Sequence, residues 1–236
     1  MYYDSNGNPR VAEHSPAALG ACMVKVYWWM TFALAVSGLC AWIVGSSPGL
    51  TQVLIRNPGA FFILLLAEIG LVIGIGAAIN KLSAATASAL FILYSALNGI
   101  TLSVVFLAYT TTSVAQVFGI TAATFAVTAT VGTATKTDLS KLGGILLTAL
   151  FGLIIASVVN FFWANDTLYW ICTYAGVLIF VGLTAYDAQK IKRMYLATDP
   201  ADTERIGRIA VIGALELDLD FVNLFLYLLR IFGRRR

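Results

Sequence analysis

The sequence predicts an all-α polytopic membrane protein: a bundle of seven transmembrane helices with an acidic C-terminal helix at its centre. Of 236 residues, 59% are hydrophobic and 11% charged, with a mean hydropathy of +0.85. A soluble domain carries about 25% charged residues. Seven apolar stretches approach the roughly 20 residues that a spanning helix needs. The last of them nevertheless contains Glu216, Asp218 and Asp220. Each ionised carboxylate at bilayer depth costs about 2.5–3.5 kcal/mol, whereas each Leu, Ile, Phe or Val returns about 0.3–0.6 kcal/mol. Such a segment is tolerated only when its acids face protein or water, away from lipid.

Residues 1–22 read as a polar cytoplasmic tail, with Asp4, Glu13 and His14. Acids among about twenty polar and small residues argue against a signal peptide. The bundle is assigned to residues 23–232. Its first segment, 24–44, carries Trp28, Trp29 and Trp42 near its ends, and the second, 60–79, is closed by Asn80-Lys81. The third is 85–109, and the fourth, 114–132, is rich in Thr and Ala. The fifth is 142–162, the sixth 168–186 and the seventh 209–232. Ser46-Ser-Pro-Gly with Asn57-Pro58, Thr110-Thr-Thr-Ser, and Asn165-Asp166 mark turns. Short connections predict antiparallel neighbours. Residues 190–208 form the longest and most charged loop on this reading.

With the N-terminus in the cytoplasm, the cytoplasmic side collects Arg10, Lys25, Lys81, Lys136, Lys141, Lys190, Lys192, Arg193, Arg205 and Arg208, and the far side only Arg56 before the last segment. That asymmetry follows the positive-inside rule. If the last segment crosses, Arg230 and Arg234–Arg236 lie outside, against the rule; its length favours crossing. Residues 233–236 are a basic tail suited to a membrane surface. No Lys/Arg tract interleaved with aromatics points to nucleic acid. Cys22, Cys40 and Cys172 lack metal or disulfide spacing, and a lone His14 leaves little room for His-dependent catalysis. Neither enzymatic activity nor a tightly bound cofactor is expected.

At about 100° per residue, Glu216, Asp220, Asn223 and Tyr227 form one stripe of the last helix, and Asp218 points roughly 200° from Glu216. The stripe suits a helix lining a path; it also suits a buried polar network that sets helix register. Asp187 closes the sixth segment. It either pairs with Lys190 or Arg193 on the helix surface, or approaches Asp220. Two adjacent carboxyls titrate as a unit and latch two helices through a shared proton. Their oxygens also suit a hard cation such as Ca²⁺. Glu216, Asp218, Asn223, Glu68 and Asn98 are candidate lining or supporting residues, with ordinary interhelical hydrogen bonds as the alternative for Glu68 and Asn98. Gly70 and Gly74 make a GxxxG suited to close packing, and Asn160 in the fifth segment is read in the same way as Asn98.

Three runs carry a resemblance: Leu82-Ser-Ala-Ala-Thr86 with Tyr94 to Ser103, then Leu183-Thr-Ala-Tyr-Asp187-Ala-Gln189, then Leu219-Asp220-Phe-Val-Asn223-Leu-Phe-Leu-Tyr-Leu-Leu-Arg230. At these residues the chain resembles the Bax inhibitor-1 family. The resemblance implies a seven-helix bundle around its last helix, and a pH-sensitive Ca²⁺ leak gated by an aspartate pair, here Asp187 and Asp220. For a bacterial member it implies the inner membrane, and in some members modulation of a membrane-bound protease. Three features depart from the family pattern. Asp218 replaces the usual Tyr before the Leu-Asp-Phe run, Lys81 is the only basic candidate after the second helix, and the loop between the last two segments is long and charged.

The leading expectation is therefore a proton-gated cation leak whose partners are the bilayer, Ca²⁺ and protons. A non-transporting regulator acting through a membrane-protein partner is the alternative. An intramembrane aspartyl protease is the remote one, because Leu217 and Leu219 flank the acids where those enzymes carry Gly-x-Gly-Asp.

Overall fold

The computed structural model describes residues 2–3, 9–10 and 15–236. His14, Asp4 and Glu13 lie outside the described residues. Two short strands, β1 (Tyr2–Tyr3) and β2 (Pro9–Arg10), pair antiparallel. Everything else regular is helical: α1 (Pro16–Gly45), α2 (Pro48–Arg56), α3 (Pro58–Ala78), α4 (Ala84–Ala108), α5 (Thr111–Ala134), α6 (Ser140–Trp163), α7 (Asp166–Leu196) and α8 (Thr203–Phe232).

Local chemistry sets the helix starts. The side chains of Ser15, Ser83, Thr110, Asn165 and Asp202 accept hydrogen bonds from the backbone N–H three residues on, satisfying donors left free in a first turn. Ser15 and Pro16 start α1 within the stretch assigned to the polar tail, and Cys22 is already buried. The supposed turn at Ser46-Ser-Pro-Gly instead opens α2, with Pro48 in the first helical turn, where a missing N–H does no harm. The largest departure is α7. It continues ten residues past the predicted end, burying Ile191 and Tyr195, so the long charged loop shrinks to residues 197–202.

Six helices, α1 and α3 to α7, are long and apolar enough to cross a membrane. Their outer faces are apolar: Phe151, Ile155, Phe161, Phe162 and Leu178 are exposed. Ser95, Ser103, Thr121, Thr173 and Thr184 are buried, and each returns its hydroxyl to a carbonyl of its own helix. Apolar outside and hydroxyl inside is the distribution of an integral membrane protein, because the hydrocarbon core offers no hydrogen bonds.

The acidic α8 falls outside those six helices and is wrapped by the others. It packs against α1, α3, α4, α5 and α7, while α6 joins through α7. Neighbours in space are not simply neighbours in sequence, since α1 packs on α4 and α5 on α7. Alongside α4, α8 runs end to end. At one end Glu204 accepts from Ala84 N at 2.6 Å and Arg208 donates to Asn80 O at 2.8 Å. At the other, Arg236 N donates to Ala108 O and Thr110 N to Arg234 O.

The three cysteines are free; Cys22 and Cys172 are buried and Cys40 is half-buried.

Candidate functional site

The extension of α7 sets Asp187 and Lys190 one turn apart, facing α8. Asp187 and Asp220 line one cavity between α7 and α8 and are close electrostatic neighbours. A direct hydrogen bond between two such carboxyls requires a proton on one of them, since neither ionised form has a donor. Asp220 is 4% exposed, and its Oδ2 has no partner within the protein. Lys190 Nζ lies 2.5 Å from Glu216 Oε1 and 4.0 Å from Asp187 Oδ1. Glu216 Oε2 is buried without a hydrogen-bond partner. These groups, with Asn223 and Tyr227, line a cavity of about 400 Å³ whose α6 wall is apolar: Leu147, Leu150 and Ile154.

Arg193 turns outward to Asp138 at 2.7 Å and to the Ser140 hydroxyl. The Ser140 backbone N–H and hydroxyl, with Arg193 beside them, hold the Asp138 carboxyl below its ordinary 3.8. Gln189 accepts from Leu139 N and donates to Thr137 O, clamping the α5–α6 connection onto α7. The two readings of Asp187, surface pairing with a base and approach to Asp220, thus coexist in one cluster. The base that pairs with Glu216 comes from α7 and not from α8's own arginines.

A second polar group lies across α8. Glu68 of α3 accepts from Thr101 at 2.8 Å and from Asn98 at 3.2 Å, both on α4. It lines a cavity of about 420 Å³ with Tyr94 and Asn98. Leu219 and Asn223 line this cavity and the Asp187 cavity alike. Asn223 therefore sits between the two polar sites, its amide donating to Leu219 O at 2.8 Å. Asp218 lines neither; it is fully enclosed, with Tyr94 as an electrostatic neighbour. Asn160 closes the α6–α7 turn by accepting from Asn165 N. Lys81 is exposed, and among the described residues no hydrogen bond or ion pair joins it to the acids.

Lys190 as the partner of Glu216, and Thr101 as the partner of Glu68, escape sequence reasoning. The available signal for Lys190 is its i, i+3 spacing from Asp187 on a helix continued past residue 186. Among the described residues, no group of three or more His, Cys, Asp or Glu side chains is disposed to hold a metal ion. Any ion meeting Asp187 and Asp220 would have to complete its shell with other oxygens.

A family model described as inhibitor of apoptosis-promoting Bax1 matches residues 20–236. Inner membrane protein YbhL of Escherichia coli strain K12 is 46% identical over 220 residues, spanning 93% of this chain and 94% of that one. An uncharacterized protein of Borreliella burgdorferi is 44% identical over 214 residues, 91% of this chain and 92% of that one. An uncharacterized membrane protein of Streptococcus pyogenes serotype M1 is 36% identical over 226 residues, 93% of this chain and 95% of that one.

Proposed function

The chain belongs to the Bax inhibitor-1 family, and we propose that it is a cation leak of a bacterial inner membrane, gated by protons on Asp187 and Asp220 and passing Ca²⁺. The likeness to YbhL, an inner membrane protein by name, supports the location. In this reading α8 is a seventh crossing helix, and the N-terminus and the Lys-rich connections are cytoplasmic.

One observation carries the proposal: carboxyls on two different helices, Asp187 and Asp220, line one cavity together with Glu216 and Lys190 within an apolar bundle. The shared proton latches α7 to α8. A change of protonation leaves either two adjacent charges that repel or two neutral acids that attract a cation less. Either change alters the latch and the charge that a passing ion meets. Ca²⁺ is cargo here, touching the aspartate oxygens in transit, and conduction needs such sites to be weak enough to release it. Glu216, Asn223, Glu68 and Asn98 would line or support the path.

Proteoliposomes loaded with a Ca²⁺-sensitive dye test the reading. Wild-type flux is expected to vary with pH between mildly acidic and neutral buffer. Asp187→Asn and Asp220→Asn should each flatten that dependence. Flux whose pH profile survives both substitutions would sink it, and aspartate-dependent cleavage of a transmembrane test substrate would revive the protease reading.

A second reading has its own observation. Gly70 and Gly74 of α3 face open space, with nothing within 4 Å of a Cβ built on either. An outward GxxxG suits a partner helix and favours a membrane regulator. Co-purification of a membrane protein, lost in Gly70→Leu, with no ion flux by the pure protein, would favour it over the leak.

A further inference from the structure

We infer that Lys190 is a tethered competitor for the divalent cation at the carboxylate cluster, its ammonium occupying the place between Glu216 and Asp187 that an entering ion takes. The inference rests on the leak reading for its physiological meaning, although its test does not need flux.

The ammonium is 2.5 Å from Glu216 Oε1 and 4.0 Å from Asp187 Oδ1, inside the cavity that Asp220 also lines. Two carboxyl groups therefore share one ammonium, and the carboxyl of Asp220 lines the same cavity. Two buried oxygens are left without a partner in the protein, Glu216 Oε2 and Asp220 Oδ2. Neighbouring cations do not compensate, because Arg193 is engaged by Asp138 and Ser140, and Lys192 donates to Thr133 O. The α6 wall contributes only apolar side chains, and the other titratable groups at the cavity are the phenols of Tyr186 and Tyr227. The cluster is thus rich in acceptors and short of positive charge. Its single resident charge is a compact point on a flexible four-carbon stem. Such a group can swing aside, which a second bound ion fixed by several ligands could not do so readily.

Removing the ammonium while keeping the carboxylates should make the site bind a free cation more tightly. A structural defect would not produce such a gain. The full-length protein in phosphatidylcholine nanodiscs is titrated with Tb³⁺ as a Ca²⁺ probe, with luminescence sensitised by Tyr186 and Tyr227 at the cavity. Lys190→Gln should lower the apparent Kd by about tenfold, the low end of what a close charge pair contributes. Ca²⁺ should displace the probe, and Lys190→Arg should stay near wild type. In Lys190→Gln/Glu216→Gln the gain should vanish. Unchanged or weaker binding by Lys190→Gln overturns the inference. If that variant does not fold, Glu216→Gln is read instead: weaker binding than wild type supports it, and unchanged binding overturns it. Wild-type protein without flux but with the tenfold gain in Lys190→Gln defeats the leak reading alone. Normal pH-dependent flux without that gain defeats this inference alone.

Discussion

Neither carboxyl oxygen of Asp218 has a hydrogen-bond partner, and the side chain is fully enclosed. An unpaired buried polar group costs about 1–3 kcal/mol and a charged one more. Breaking an ion pair is harmful because it creates such a group; removing an acid that has no partner does the reverse. Asp218→Asn keeps the shape and abolishes any charge. It should raise thermal stability in detergent by about 1 kcal/mol and leave the pH profile of flux unchanged, because Asp218 lies across α8 from the Asp187–Asp220 cavity. A fall in melting temperature of similar size would mean that its oxygens hold a partner needing a carboxylate. The same α8 residues show what a sequence reveals about a site. Helical periodicity puts Glu216, Asp220, Asn223 and Tyr227 on one stripe, and all four line one cavity. It puts Asp218 on the far face, where it is enclosed. Periodicity is blind to partners on other helices. The Lys190–Glu216 pair spans 26 residues, and the Thr101–Glu68 hydrogen bond joins α4 to α3; both depend on how helices pack.

At the scale of helices, α7 is held by close approach on two sides. A Cβ on Gly132 of α5 would meet Ala185 O at 2.1 Å, and one on Gly143 of α6 would meet the Tyr186 ring at 2.4 Å. The two contacts differ in kind, since a ring can turn and a backbone carbonyl within a helix cannot. Gly132→Ala must therefore push α5 from α7 just before Asp187. The expected destabilisation is about 1–3 kcal/mol, or roughly 2–4 °C of melting temperature per kcal/mol for a chain of this size. Gly144→Ala, with nothing within 4 Å, is the control and should melt as wild type does. Equal melting of the two variants would refute the packing argument. The apolar cores of these helices were legible because about twenty uninterrupted apolar residues have few alternatives. The end of α7 was not. Lys190, Lys192 and Arg193 lower the local hydropathy, while Ile191 and Tyr195 keep the helix packed. Hydropathy reports the bilayer, and a helix that extends beyond it stays invisible to that measure. Proline hid α2 similarly, because Pro48-Gly49 reads as a turn although proline is well suited to a helix's first position.

On the scale of the whole molecule, the question is what α8 does with its two ends. Its 30 residues span about 45 Å at 1.5 Å each, more than the roughly 30 Å of hydrocarbon. Its start is tied to Ala84 and to Asn80 just before α4, and its end to Ala108 and to Ser113 in the first turn of α5, so the ties lie at opposite ends of the membrane-length α4. The charge rule opposes a crossing, because it would carry Arg230 and Arg234–Arg236 to the side of Arg56. These arginines are not free tail charges, however. Arg230 lies over the Tyr227 ring at 5.0 Å and the Tyr169 ring at 5.7 Å. Arg234 N donates to Ser113 Oγ at 2.9 Å, and Arg235 pairs as an isolated bridge with Tyr109. Cation–π contacts of this kind contribute about 0.5–1 kcal/mol at exposed sites, and backbone hydrogen bonds secure the tail further. The first helix usually dominates orientation, and the acids Asp218 and Asp220 of α8 are buried inside the bundle. We therefore expect α8 to cross. Single-cysteine variants Ala201→Cys and Arg236→Cys, made in a background without Cys22, Cys40 and Cys172, should react with a membrane-impermeant maleimide from opposite faces of the membrane. Arg236→Cys should share its face with Arg56→Cys, and Ala201→Cys with Lys136→Cys. Labelling of positions 201 and 236 from the same face would make α8 a re-entrant segment and move the gate to one membrane surface.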